Sequence, residues 1–298
     1  MESVTTPRKP RLGKVGVLLE MIKFQHTVFA LPFALMSALV ASEGRIGWPT
    51  FFWILVAMVG ARSSAMTFNR IADRRIDARN PRTVSRAIPA GLVSVAEAWV
   101  FLLAATALFV TAAAMLNRMA LLLSPLALAV IWGYSLTKRF TKWSHAVLGM
   151  ALAIAPVGAW VAVTGAIEVP SLWLAGAVVC WVAGFDIIYS LQDIEFDRSQ
   201  GLHSMPSRWG PAKALLFSKL LHVLSAIFLV AFGVAANLGL MYFVGCAAAV
   251  LLLEYEHSLV SPDDFRRVDA AFFTVNGLMS LGLLFFTALA VYWPLSVR

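Results

Sequence analysis

Two groups of acidic residues in this chain share one helical spacing. Asn69, Asp73 and Asp77 stand at positions i, i+4 and i+8, so on an α-helix they line one face over two turns. Asp193 and Asp197 repeat that spacing later in the chain. Two carboxylates one turn apart repel each other unless a cation lies between them, and such oxygen ligands suit Mg²⁺. The spacing therefore predicts Mg²⁺ as the cofactor, with these five residues as its ligands.

The repetition of the pattern is what favours a function. A single aspartate pair at a helix end is usually solvated or bound to an arginine. Here each pair also has a polar residue one turn earlier, Asn69 in the first copy and Tyr189 in the second. The two copies lie four apolar segments apart, which indicates two four-helix pseudo-repeats plus one helix. Parallel repeats of this kind bring matched ends together around a central cavity.

The composition indicates an all-α, polytopic membrane protein. Of 298 residues, 60% are hydrophobic and only 13% are charged, whereas a soluble domain carries about 25% charged residues. The apolar runs approach the 20 or so residues that cross a bilayer. About nine such segments are predicted: Met21–Ala41, Trp48–Phe68, Ala96–Leu116, Ala120–Leu136, Ala146–Thr164, Ser171–Leu191, Ala214–Ala235, Leu238–Leu253 and Ala270–Trp293.

The charge distribution predicts the topology. The formal charge of +8 is concentrated in alternate loops, the pattern of cytosolic loops in membrane proteins. No separate basic domain is present, so we expect no nucleic-acid partner. Residues 1–20 are predicted to be a cytosolic tail and residues 21–298 a single transmembrane domain. Both acidic motifs then face the cytosol.

Basic side chains in the cytosolic loops indicate a phosphate ligand, because arginine forms bidentate contacts with phosphate. Mg²⁺ also prefers one or two carboxylates together with substrate phosphates. In a membrane this combination points to a lipid diphosphate, which the metal would bind as the leaving group. The basic residues concerned are Arg82, Arg86, Lys138, Arg139, Arg198 and Arg208.

Charged residues also occur inside the apolar segments. Arg62 lies two turns before Asn69 on roughly the same helical face, and an intramembrane arginine normally faces a cavity or a partner. It is either an ion-pair partner for Asp186 or Glu97, or an anion anchor for substrate. Asp186 either pairs with Arg62 or acts as a base. Gln25 and His26 are further candidates for the same cavity, although a lone helix histidine is more often a packing residue.

At these residues the chain resembles the UbiA superfamily of membrane prenyltransferases. The family pattern N-x-x-x-D-x-x-x-D matches Asn69 to Asp77, and R-T-x-x-R-P-L-P-S-G is approximated from Arg82 to Gly91. Ala87 replaces the proline after the second arginine. The pattern Y-x-x-x-K-R-x-T begins at Tyr134, and the second acidic motif is followed by a family-like stretch up to Gly210.

The resemblance implies the reaction and the partners: a polyprenyl diphosphate donor, an aromatic acid acceptor and the lipid bilayer. It implies catalytic roles for the four motif aspartates, Lys138 and Arg139, with Asp186 or Asp193 orienting the acceptor hydroxyl or taking a proton. Arg62 or Arg139 would bind the acceptor carboxylate. The predicted substrate-binding residues are Arg62, Asn69, Arg82, Arg86, Tyr134, Tyr189 and Arg208.

Within the superfamily, the chain resembles the 4-hydroxybenzoate polyprenyltransferase branch, which implies respiratory quinone (ubiquinone) biosynthesis in the bacterial inner membrane. The runs Phe24 to Phe33 and Gly184 to Gly210 look closer to enzymes of the futalosine route to menaquinone, which act on 1,4-dihydroxy-6-naphthoate. A membrane transporter is the non-enzyme alternative, although the polar residues concentrate at one membrane face and not at the midplane. No obligate protein partner is expected.

Overall fold

Helices form nearly all of the structure, a computed structural model that describes residues 13–22 and 29–293. No β-strand occurs in these two ranges. The α-helices, in chain order from α1 to α12, are Lys14–Met21, Leu31–Ala41, Trp48–Asp77, Val95–Leu116, Arg118–Thr137, Ser144–Thr164, Val169–Ser190, Ile194–Ser199, Met205–Trp209, Pro211–Ala235, Leu240–Ser258 and Asn276–Tyr292.

Eight helical stretches are long and apolar enough to cross a membrane, and α2 is a shorter apolar helix within the described part of the first predicted segment. The all-α, polytopic prediction is therefore confirmed, and the number of segments differs from nine only in the length of α2. Gln25 and His26 lie outside the described residues.

Helix α3 carries the whole first motif. It runs without a break for 30 residues, which corresponds to about 45 Å, and it ends nine residues beyond the apolar segment predicted to stop at Phe68. Pro49 occupies its first turn, where a proline costs no hydrogen bond. Arg74 and Arg75 in its last turn offset the negative end of the helix dipole. Asn69, Asp73 and Asp77 therefore lie on one face of a regular α-helix, as their spacing predicts.

The second motif differs from the first in its backbone. Helix α7 ends at Ser190, a 3₁₀ turn follows over Leu191–Asp193, and α8 begins at Ile194. Asp193 has φ −106° and ψ 7°, outside helical values. Asp193 and Asp197 therefore lie across a break in the helix, whereas the spacing alone predicted one continuous helix.

The bundle is built around α7, which contacts α6 on one side and α10 on the other. The largest core cluster centres on Trp181 and Phe185 of α7. Gly149 of α6 allows the closest approach, because a Cβ there would lie 2.4 Å from the carbonyl oxygen of Val179. Helix α2 contacts both α6 and α12.

Helix α1 packs on the end of the bundle that carries the first motif. Val17 and Met21 are buried in a cluster with Ile71 of α3 and Ala98 of α4. Part of the predicted tail is therefore a packed helix. The boundary between residues 20 and 21 stays a prediction.

A π-helix over Ala270–Val275 precedes α12. Such segments are rare and are often found at functional sites. This one presents Phe272 to Tyr189, with ring centroids 4.2 Å apart. The segment therefore supports the polar residue that opens the second motif.

Candidate active site

Asp73 is the most heavily contacted carboxylate of the first motif. Its side chain is 3% exposed and accepts a hydrogen bond from Arg139 at 2.9 Å. The ammonium of Lys138 lies 3.4 Å away, and the Asn69 amide donates at 3.2 Å. Lys138 and Arg139, which follow α5, thus meet the end of α3.

Among the described residues, only one of the two carboxylate oxygens of Asp77 has a hydrogen-bond donor. Its Oδ1 accepts a hydrogen bond from Arg86 at 2.7 Å. Its Oδ2 is buried and has no hydrogen-bond partner within the described residues. Thr83 fixes the loop that brings Arg86 back, by donating to the main-chain oxygen of Asp77 at 3.1 Å. A buried carboxylate oxygen without a donor is costly unless a ligand completes it.

Asp193 is held by residues that follow the first motif. Arg82 donates from two nitrogens to the two carboxylate oxygens, from Nε to Oδ1 at 3.0 Å and from Nη2 to Oδ2. Asn80 adds a third contact at 3.2 Å. Arg82 also donates to the Tyr189 hydroxyl at 2.9 Å. Burial alone would lower the pKa of Arg82, but the hydrogen bonds and charge of Asp193 outweigh it and raise that pKa above its ordinary value.

The loop that follows α8 contacts the loop that follows α5, next to the first motif. Asp197 is buried at the start of a turn in which its main-chain oxygen accepts from Leu202 at 2.8 Å. The next residue, His203, donates its main-chain N–H to the carbonyl of Lys138 at 2.7 Å. The loops that follow α3, α5 and α8 therefore meet, and the two acidic motifs belong to one site.

Three predicted residues have partners that spacing did not indicate. Asp186 accepts from His145 Nδ1 at 2.7 Å, and Glu97 binds Lys14 and caps α4 through Ser94. Arg208 is exposed and donates to His203 at 2.8 Å, so it stands next to the site and not on an aspartate.

Two residues of the site were missed by the sequence reasoning. Asn80 binds Asp193 from the loop after α3, and His145 binds Asp186 from α6. Each pair is separated by dozens of positions, so no spacing pattern reveals it. Tyr134, which was predicted, packs against the buried cluster of Leu128, Ile131 and Ala151.

The donor set fits Mg²⁺. Among residues 13–22 and 29–293, no group of three histidine, cysteine or acidic side chains is arranged to hold a metal ion. Asp73, Asp77 and Asp193 instead contact lysine or arginine side chains. The ligand types are nevertheless carboxylate and amide oxygens, which Mg²⁺ prefers, and Asp77 Oδ2 lacks a donor.

The fold and the site define the general class as a helical membrane protein whose two acidic motifs meet basic loops at one end of the bundle. The chain belongs to the UbiA prenyltransferase family, whose model matches residues 30–293. It is an enzyme that transfers prenyl groups, and the transporter alternative is set aside.

Curated relatives agree with the family. The chain is 32% identical over 236 residues to a 4-hydroxybenzoate octaprenyltransferase of Nitrosospira multiformis, covering 77% of this chain and 80% of that one. It is 30% identical over 258 residues to a protein of the same name from Pseudoalteromonas translucida, covering 86% and 87%. A mitochondrial 4-hydroxybenzoate polyprenyltransferase of Arabidopsis thaliana is 33% identical over 218 residues, covering 71% and 52%.

Solved structures share the fold. A UbiA homologue from Aeropyrum pernix, determined in its apo form, superposes with a TM-score of 0.80 and 35% identity, covering 88% of this chain and 98% of that one. A homologue from Archaeoglobus fulgidus bound to GPP and Mg²⁺ has a TM-score of 0.75 at 21% identity, covering 93% and 99%. At that identity the second match supports the fold alone.

Proposed function

We propose that this protein transfers a polyprenyl group from polyprenyl diphosphate to the ring of 4-hydroxybenzoate, in the biosynthesis of a respiratory quinone, with Mg²⁺ as cofactor. The observation that carries the proposal is the meeting of the two acidic motifs with Arg82, Arg86, Lys138 and Arg139. The names of the curated relatives support the acceptor. The Archaeoglobus fulgidus homologue, which shares the fold, is bound to GPP and Mg²⁺, and we propose a donor and a metal of the same kind for this chain.

The bound metal would neutralise the diphosphate and make it a better leaving group. The motif aspartates and the Asn69 amide would hold the metal ion. Arg82, Arg86, Lys138 and Arg139, which contact aspartates in this structure, would also bind phosphate oxygens. These cations stabilise the charge that develops as the allylic C–O bond breaks. The proposed metal ligands are Asn69, Asp73, Asp77, Asp193 and Asp197.

Acceptor chemistry needs a group that orients the phenol and removes the ring proton after the new C–C bond forms. Asp186 is suited to this, with Asp193 as the other candidate. His145 Nε2 accepts from the main-chain N–H of Met205 at 3.2 Å, so Nδ1 of the neutral ring carries the proton and donates to Asp186. That bond fixes the carboxylate and leaves it an acceptor. Arg62, two turns below Asn69, is the proposed partner of the acceptor carboxylate.

The charge pattern supports the membrane orientation that we propose. We place the enzyme in the bacterial inner membrane as a multi-pass protein, with the aspartates and the N-terminus on the cytosolic side, where basic loops are retained. Residues 21–298 form its single domain. Both the donor tail and the product would partition into the surrounding lipid.

A second acceptor is supported by the run from Gly184 to Gly210, which resembles enzymes that prenylate 1,4-dihydroxy-6-naphthoate on the way to menaquinone. The two acceptors share a phenolic ring and a carboxylate, so the same side chains would serve either one.

The test is prenyl transfer by the purified enzyme with 4-hydroxybenzoate and 1,4-dihydroxy-6-naphthoate in parallel reactions, with Mg²⁺ or with a chelator. We expect product from 4-hydroxybenzoate, and only when Mg²⁺ is present. Product from 1,4-dihydroxy-6-naphthoate alone would show that this compound is the acceptor and would leave the proposed prenyl transfer unchanged. Equal turnover in the chelator would contradict the metal assignment.

A further inference from the structure

Asn276 lies where the π-helix of Ala270–Val275 passes into α12. Its side chain is fully buried and makes hydrogen bonds to side chains of two other helices. The indole Nε1–H of Trp181, on α7, donates to Asn276 Oδ1 at 2.5 Å. Asn276 Nδ2 donates to Glu256 Oε1, on α11, at 2.9 Å. One amide therefore joins α7, α11 and α12 inside the bundle.

The partners of Asn276 fix which way its amide faces. An indole N–H can only donate, so the atom that faces Trp181 is the amide oxygen. The amide nitrogen faces the Glu256 carboxylate and two main-chain carbonyl oxygens, those of Ala271 at 3.1 Å and Phe272 at 3.2 Å. Neither a carboxylate nor an aliphatic side chain of the same size can satisfy this combination of one donor and three acceptors. The surroundings therefore specify an amide at this position.

The two carbonyl bonds stabilise the π-helical geometry. Counting back from Asn276, Phe272 carries the oxygen that an α-helical main-chain bond would use, and Ala271 the oxygen that a π-helical bond would use. The main-chain N–H of Asn276 contacts the carbonyl of Phe273 instead, and the side-chain amide binds the other two oxygens. Relaxation to an ordinary α-helix would rotate Phe272 about the helix axis by about 100°, one residue's share of a turn. Asn276 opposes this rotation.

Phe272 is the link between this buried amide and the active site. The centroid of its ring lies 4.2 Å from that of Tyr189 and 5.2 Å from that of Phe185. The Tyr189 hydroxyl accepts from Arg82 at 2.9 Å, and Arg82 Cζ lies 5.1 Å from the centroid of the Tyr189 ring. Arg82 in turn binds both carboxylate oxygens of Asp193. The placement of Phe272 thus decides where the Tyr189 hydroxyl meets Arg82.

From these contacts we infer that Asn276 is a positioning residue of the prenyl transfer site. It holds the π-helix so that Phe272 supports Tyr189, and Tyr189 then helps to hold Arg82 on Asp193. Its own bonds are to buried groups of the bundle, so its effect reaches the site through Tyr189. The role of Asp193 toward the diphosphate rests on the proposed function, whereas the effect of Asn276 on Tyr189 does not.

The first measurement follows Tyr189 directly, by fluorine NMR of the purified full-length enzyme labelled with fluorotyrosine. The resonance that is missing from Tyr189→Phe identifies this residue. We expect Asn276→Leu, which keeps the size of the side chain and removes its hydrogen bonds, to shift the Tyr189 resonance. Thr287→Val is the control and should leave the resonance in place. The Thr287 hydroxyl is also buried on α12, but it donates to the carbonyl of Leu283 within that helix.

The second measurement is a double-mutant cycle on prenyl transfer. In the wild-type background, Asn276→Leu should lower kcat/KM for polyprenyl diphosphate by about 10-fold, as expected for coupled residues of one network. In Tyr189→Phe, which lacks the hydroxyl that meets Arg82, the same substitution should lower kcat/KM by less than about 2-fold. A substitution that only destabilised the fold would lower kcat/KM by the same factor in both backgrounds.

An unmoved Tyr189 resonance in Asn276→Leu would overturn the inference, and so would equal losses of kcat/KM in the two backgrounds. If Asn276→Leu is not recovered from membranes, Asn276→Ser, which keeps a hydroxyl at the centre of the network, is measured in the same two ways with the same expected order of effects. A shifted resonance in an enzyme that prenylates neither aromatic acid would support this inference and contradict the proposed function.

Discussion

Arg82 binds Asp193 across the two acidic motifs. It follows the first motif by five residues, yet its guanidinium contacts both carboxylate oxygens of the second motif and the hydroxyl of Tyr189. Tyr189 in turn lies against Phe272 of the π-helix. One arginine thereby connects the loop after α3 with Asp193 and Tyr189, and through Tyr189 with the π-helix before α12, so the geometry of the second motif depends on a residue that follows the first.

We expect Arg82→Ala to reduce prenyl transfer by about 10- to 100-fold, because hydrogen bonds to a charged group contribute about 1.5–3 kcal/mol. Arg82→Lys should restore only part of the rate, since an ammonium cannot make the bidentate contact and also reach Tyr189. Steady-state kinetics of the purified variants measure this. Arg75→Ala, which removes an exposed arginine of the same helix end, is the control and should keep wild-type rates; a similar loss there would point to general destabilisation.

Asp73 is expected to be indispensable. Asp73→Asn keeps the shape of the side chain but removes the charge that Lys138 and Arg139 neutralise, so we expect transfer to fall at least about 100-fold, as for groups that hold a catalytic metal. The protein should still be recovered from membranes in normal amount. Glu195→Gln is the matched control, because Glu195 is an exposed carboxylate between the two aspartates of the second motif. Retained turnover in Asp73→Asn would contradict its metal role.

The first motif was predictable from the sequence because its geometry is local. An unbroken helix places Asn69, Asp73 and Asp77 on one face whatever surrounds them. The apolar segments were predictable for the same kind of reason, since spanning a bilayer sets their length and composition. The family resemblance added the expected partners of the motif, including Lys138 and Arg139.

The backbone of the second motif and its contacts could not be predicted from the sequence. Asp193 and Asp197 keep the helical spacing in the sequence, but the chain changes to a 3₁₀ turn at Leu191–Asp193, which periodicity does not reveal. The bond from His145 to Asp186 joins helices α6 and α7 over 41 positions. Such contacts depend on which helices are neighbours, and that is decided by tertiary packing.

Asp77 is expected to set the affinity for Mg²⁺. Its Oδ2 is buried without a hydrogen-bond donor, so Asp77→Asn should raise the Mg²⁺ concentration for half-maximal activity by about 10-fold or more. Activity is measured across a Mg²⁺ titration at saturating polyprenyl diphosphate. Thr83→Val removes the hydroxyl that contacts only the main chain of Asp77 and should move the midpoint much less. An unchanged midpoint in Asp77→Asn would remove this residue from the ligand set.

Asp186 is expected to act on the acceptor and not on the donor. Asp186→Asn retains an oxygen that can accept from His145, so the local fold should persist while proton acceptance is lost. We expect kcat to fall about 100-fold or more, with little change in KM for the polyprenyl diphosphate. Glu168→Gln, which alters a carboxylate at the opposite end of the same helix, should leave kcat unchanged. If Asp186→Asn were fully active, the base would be sought at Asp193.

Gly149 is expected to limit the packing of α6 on α7. A methyl group there would lie 2.4 Å from the carbonyl oxygen of Val179, and backbone atoms of a helix cannot move aside cheaply, so Gly149→Ala should destabilise the protein by about 1–3 kcal/mol. Gly158→Ala on the same helix meets no heavy atom within 4 Å, and there the higher helix propensity of alanine should be neutral or stabilising by up to about 1 kcal/mol. Thermal unfolding of both variants in the same detergent measures the difference. The order of the two unfolding temperatures is the decisive result, because both substitutions add one methyl group to one helix and differ only in what that group meets.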